Sequence, residues 1–202
     1  MILRILKSPA IGLAIVLGAI AVFTAFGPAE KSLGTNVRVV YLHGVWVWTA
    51  LAAFTLAALV GVIAFMKKRR SLHLLSRALG RTGLVFWITY LPISMWAMQT
   101  NWNGLFLSEP RWKVAAVFAL SSILLQIGVT LMGDPAWASA GNVVFWLALV
   151  FVLQGTENVM HPGSAIFGSG AFRILIYFSG LLLLVFLAGW QVTRGWCRLT
   201  KH

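Results

Sequence analysis

Residues 39–66 read VVYLHGVWVWTALAAFTLAALVGVIAFM, with no Asp, Glu, Lys or Arg anywhere in the stretch. A helix of about 20 apolar residues crosses the hydrocarbon core of a bilayer, so this run is long enough to span and to tilt or project beyond one face. Five further apolar runs lie on either side of it, at about 9–27, 82–99, 112–132, 141–160 and 170–192. The whole chain of 202 residues is 60% hydrophobic and only 10% charged, and its mean hydropathy is +0.89. Soluble domains carry about 45–50% apolar and about 25% charged residues, so composition excludes a soluble globule, a disordered chain and a disulfide scaffold. The first run is long for a signal-peptide core and ends in Phe26-Gly27-Pro28 without an A-x-A site, so it reads as a retained span. The sequence therefore predicts an all-α membrane protein, one domain over 1–202, built as a bundle of six transmembrane helices.

Charge sets the expected orientation. Arg4, Lys7, the stretch Lys67, Lys68, Arg69, Arg70, Arg77 and Arg81, and Arg194, Arg198 and Lys201 fall on one side of such a bundle. Lys31, Arg38, Arg111, Lys113 and Arg173 fall on the other. The positive-inside rule then places both termini in the cytoplasm and the 67–81 stretch in a cytoplasmic loop. With 16 Lys and Arg against 4 Asp and Glu the net charge is +12, a balance that in a soluble protein suggests nucleic acid. Here the cations flank apolar runs, so topology and affinity for anionic lipid account for them, and no nucleic-acid partner is expected.

Membrane helices pack through small residues. Ala10, Ala14, Gly18, Ala21 and Ala25 share one face of the first span, and Ala50, Ala53, Ala57, Gly61 and Ala64 share one face of the second. Extending the second stripe backward reaches Trp46 and His43, which puts His43 on the bundle-facing side near the extracytoplasmic helix end. At the same membrane face, Gln154, Glu157, Asn158 and His161 follow the spacing i, i+3, i+4 and i+7. If the fifth helix runs that far, polar groups in this register face protein or a wet cavity, and Glu157 lies one turn from His161 as a partner for its free N–H. The external connection 99–112 is apolar and aromatic; Trp96 precedes it, Trp102, Phe106, Arg111 and Trp112 lie within it, and Ser108 stands where it could cap the fourth helix.

Each feature also has a plainer reading. A histidine at a helix end is often a polar residue satisfied at the interface, and the 10 Trp suit aromatic belts, Trp87, Trp137, Trp146, Trp190 and Trp196 in particular. His73, in the basic stretch, and His202 are assigned no role. There is no G-x-S-x-G elbow, HExxH pair or phosphate-cradling glycine loop, and the single Cys197 excludes internal disulfides and CxxC chemistry. Two imidazoles at one face, an aromatic platform and a cation for a propionate suit haem iron, with handling of the group rather than bond chemistry as the activity.

In layout, over nearly the whole chain, the sequence resembles the CcmC-type haem exporters of the cytochrome c assembly family. The resemblance rests on Tyr41-Leu42-His43 with Trp46 and Trp48 at the start of the second span, the aromatic connection 96–112, and His161 between spans five and six. Trp102 and Glu109-Pro110-Arg111-Trp112 stand where the family has a denser Trp-rich loop with a Trp-Asp-x-Arg signature. The resemblance implies an inner-membrane protein that binds haem b transiently through His43 and His161 and passes it to a periplasmic haem acceptor, alongside ABC-type transporter subunits. Trp46, Trp96, Trp102, Phe106 and Trp112 are then the expected platform, Arg111 the propionate partner and Glu157 the support of His161. Two alternatives remain open at this point: a membrane b-type cytochrome that moves electrons, and a haem-free transporter or interaction subunit.

Overall fold

The computed structural model describes residues 8–157, 166–167 and 170–199. Among them the chain forms α1 (Pro9–Ala25), α2 (Val37–Lys67), α3 (Arg70–Trp102), α4 (Pro110–Leu131), α5 (Pro135–Gly155) and α6 (Phe172–Leu199), and no strand. Proline supplies the first helical residue of α1, α4 and α5, where its missing N–H costs nothing. Four helices, α2, α4, α5 and α6, are long and apolar enough to cross a membrane; α1 is apolar but has 17 residues. The molecule is thus an all-α protein, and four of its six described helices are long and apolar enough to cross a membrane.

The third helix begins well before the predicted boundary. The 67–81 stretch is not a loop: α2 ends at Lys67, Lys68 takes the left-handed conformation (φ 50°), and α3 starts at Arg70. No proline interrupts residues 70–81, and the stretch buries His73, Ser76, Ala78 and Gly80. Helix propensity with a buried stripe carries the helix through the cations of this stretch.

The antiparallel pair α2–α3 forms the centre, and α5 and α6 each pack against both of its members. Helix α4 lies on α3 and α5, and α1 lies on α6 and touches α2. Phe54 is the hub of the α5 side, 4.8 Å from the Phe145 ring and 6.0 Å from Trp87. It fits because Gly83 faces it: a Cβ there would sit 2.6 Å from Phe54 Cδ1. Ala50, Ala53, Ala57, Gly61 and Ala64 are buried, as their spacing predicts, and let neighbouring backbones approach.

Two expectations fail. The Ala10, Ala14, Gly18, Ala21 and Ala25 face of α1 is exposed, and α1 docks on α6 by its other side. There Gly12 meets Gln191, and Phe23 stacks on Tyr177 with centroids 4.9 Å apart and planes 2° from parallel. Bulky groups that fill a groove outweigh small ones that only permit approach. Trp87 is not an interface residue: it is 2% exposed, and its Nε1–H donates to the Ala115 carbonyl of α4 at 2.9 Å. That bond satisfies the one polar atom that would otherwise keep an indole at the interface.

Candidate functional site

At the end of the bundle where α2 begins, two tethers fix the helix start. Asn36 Nδ2 donates to the Thr100 carbonyl at 3.0 Å, tying α2 to the last turn of α3, and Arg38 Nε donates to the Gly27 carbonyl at 2.9 Å. His43 lies six residues further along, about 9 Å into the helix. Its ring is half-buried and packs on Tyr90 of α3, with centroids 5.3 Å apart and planes at 44°. Tyr90 is buried and rests in turn on Trp87 at 5.5 Å. The imidazole thus stands on an aromatic column rather than in open solvent or lipid.

Trp46, one turn on, donates its Nε1–H to Thr89 Oγ1 at 2.8 Å and packs on Phe86 at 5.0 Å. Thr89 donates onward to the Val85 carbonyl, so the indole is held in one orientation. Trp96 lies seven residues after Thr89, two turns along the same face of α3, and is exposed. Sequence reasoning missed Tyr90 and Thr89. Each matters through a contact with α2, and one sequence does not reveal such pairings.

The aromatic connection is shorter than its sequence suggests, because α3 runs to Trp102 and Asn103 turns the chain in the left-handed region (φ 55°). Glu109, not Ser108, occupies the N-cap of α4, with extended ψ of 123° and Pro110 following. Ser108 is exposed, whereas Glu109 is only 6% exposed. Proline forces the residue before it into extended backbone, and Glu109 is that residue. Leu105, Phe106 and Leu107 are exposed together, Arg111 is exposed, and Trp102 and Trp112 are half-buried. The Trp112 Nε1–H is buried and makes no hydrogen bond among the described residues.

Helix α5 stops at Gly155, and Thr156 is extended (φ −95°, ψ 125°) with its hydroxyl bonded back to the Val152 carbonyl. The predicted helical face Gln154, Glu157, Asn158 and His161 is therefore not continuous: Glu157 follows the helix end, exposed and outside any helical register. Glycine at the last position and a back-bonding threonine end the helix before Pro162 is reached. His161 and Asn158 lie outside the described residues. At the same end, Glu30 Oε2 accepts from the Leu33 and Ser32 N–H groups, and these bonds hold its carboxyl below the usual carboxylate range.

The opposite half of the bundle holds a buried polar chain. His73 Nδ1 lies 2.8 Å from Ser139 Oγ, Ser76 donates to the Ala57 carbonyl, and Asn142 Nδ2 donates to the Ser76 carbonyl at 2.9 Å. Gln126 Nε2 reaches Asn142 Oδ1 at 3.4 Å, which joins α4 to α3 and α5. No family model matches this sequence, and comparison with curated proteins and with solved structures yields no significant match.

Proposed function

We propose that the chain is a six-span protein of a bacterial-type inner membrane, with both termini cytoplasmic, that holds haem b at its extracytoplasmic face and hands it on during cytochrome c maturation. The observation that carries the reading is His43: a half-buried imidazole on a tethered helix, backed by Tyr90 and flanked by a Trp46 ring locked through Thr89. A ligand of that kind is presented rather than enclosed, which suits a cargo that must be released. The residues fit the group in two further respects. Trp96, Leu105, Phe106 and Leu107 leave apolar surface exposed at the same bundle end, the kind of surface a porphyrin face covers. Arg111 is exposed there as a bidentate partner for a propionate.

In this reading His43 and His161 are the axial ligands, Trp102 and Trp112 complete the platform, and Glu157 supports His161. A periplasmic haem acceptor receives the cargo, and ABC-type transporter subunits assist. Axial imidazole ligation gives haem a low-spin spectrum that differs from that of free haem. Titrating the detergent-purified protein with haemin is the test. A Soret shift that saturates at a fixed stoichiometry, and is competed away by excess free imidazole, is expected. A response no different from that of empty micelles contradicts the proposal.

A further inference from the structure

The end of the bundle remote from His43 carries an open concavity. The α2–α3 turn supplies Lys68, Arg70 and His73 to one wall, and the α4–α5 turn supplies Gly133, Asp134 and Pro135 to the other; the space between is about 520 Å³. Two left-handed residues, Lys68 (φ 50°) and Gly133 (φ 77°), make these turns tight enough to bring their walls together. His73 is held in place by Ser139 Oγ at Nδ1 and by the Phe65 ring, with centroids 4.8 Å apart and planes at 72°, which leaves Nε2 as its remaining polar atom. Among the described residues neither Lys68 nor Arg70 pairs with a carboxylate. Asp134 lines the cavity too, but its Oδ1 is occupied in accepting the Ala136 N–H as the cap of α5.

We propose that this cavity binds a phosphate group, carried either by a lipid headgroup or by a small soluble molecule. Lysine supplies a point charge, arginine a fork that matches two phosphate oxygens, and the imidazole a further hydrogen-bonding nitrogen. The start of α5 contributes little itself, because Pro135 has no N–H and the Ala136 N–H is taken. The site therefore rests on the side chains of the α2–α3 turn, and Asp134 sets an upper limit on how much negative charge it accepts.

The full-length protein in dodecyl maltoside micelles, which contain no phosphate, tests this by thermal stability. One arm adds inorganic phosphate; the other adds phosphatidate to the micelles. Stabilisation by phosphate in solution identifies a soluble ligand, and stabilisation by phosphatidate alone identifies a lipid headgroup; either is the expected result. Lys68→Ala/Arg70→Ala removes two charges from the wall and is expected to weaken binding about thirtyfold. Lys67→Ala/Arg69→Ala removes the same charge from the same turn outside the cavity and leaves the affinity nearly unchanged. Asp134→Asn keeps a good helix cap and tightens binding about fivefold. Equal losses in the two double variants, no tightening in Asp134→Asn, or no response to either phosphate source overturns the proposal.

Discussion

Glu30 and Trp87 show how single residues take their properties from backbone groups that the sequence does not advertise. The Glu30 carboxylate accepts from Leu33 and Ser32, so its folded pKa lies below the ordinary 4.5. A depressed carboxyl pKa stabilises the fold above the unfolded value, and the contribution disappears as pH falls through the folded one. The Ser32 and Leu33 amide shifts are accordingly expected to titrate together with a midpoint below 4.5, and a midpoint at or above it contradicts the assignment. Trp87 is a buried donor to Ala115. Trp87→Phe keeps an aromatic ring but removes the indole donor to the Ala115 carbonyl, which keeps only its bond within α4, and leaves a cavity beside it, at a cost of about 1–3 kcal/mol in denaturation from micelles. An unchanged stability would mean that the indole N–H contributes nothing. His43 was legible because its place on the small-residue stripe of α2 follows from periodicity alone. Tyr90 beneath it was not, because nothing local marks a tyrosine of α3 as the partner of a histidine on α2.

Among the helices, α2 was the most legible, since 28 residues without a charge admit one structure in a membrane, and its alanine stripe is buried throughout. The equivalent stripe of α1 misled, because in lipid a small residue gains nothing by burial and its spacing carries no sign of inside or outside. Glycine substitutions separate the two situations. Gly83→Ala places a Cβ 2.6 Å from the Phe54 ring and is expected to cost about 1–3 kcal/mol by forcing α2 and α3 apart. Gly18→Ala meets nothing within 4 Å and is expected to change stability by less than about 1 kcal/mol, in the stabilising direction. Equal effects at the two positions would contradict the packing. The polar chain of the other half was hidden for a related reason: Asn142 and Ser76 are 66 positions apart, and a single sequence gives no means of pairing them. His73, read as a loop residue, is buried against Ser139 beside that chain because α3 starts twelve residues earlier than its apolar run suggests.

At the scale of the molecule, a central antiparallel pair with two flanking helix pairs divides the protein into two ends of different chemistry. One end gathers His43, exposed aromatic side chains and Arg111; the other gathers Lys67–Arg70, His73 and the α4–α5 turn. The proposed six-span topology assigns the first end to the outside. Reporter fusions placed after Leu33 and Leu105 are then expected to be active outside the membrane, and those placed after Arg69 and Gly133 inside it; a shared side for residues 33 and 69 contradicts the arrangement. In the proposed function, the extracytoplasmic end ligates haem through histidine. The most direct measurement is the visible absorption spectrum of the protein purified from haem-replete membranes, beside His43→Ala and His161→Ala. A Soret band that is present in the unaltered protein and weakened or shifted in both variants is the predicted result; no band, or a band that both variants leave unchanged, contradicts it.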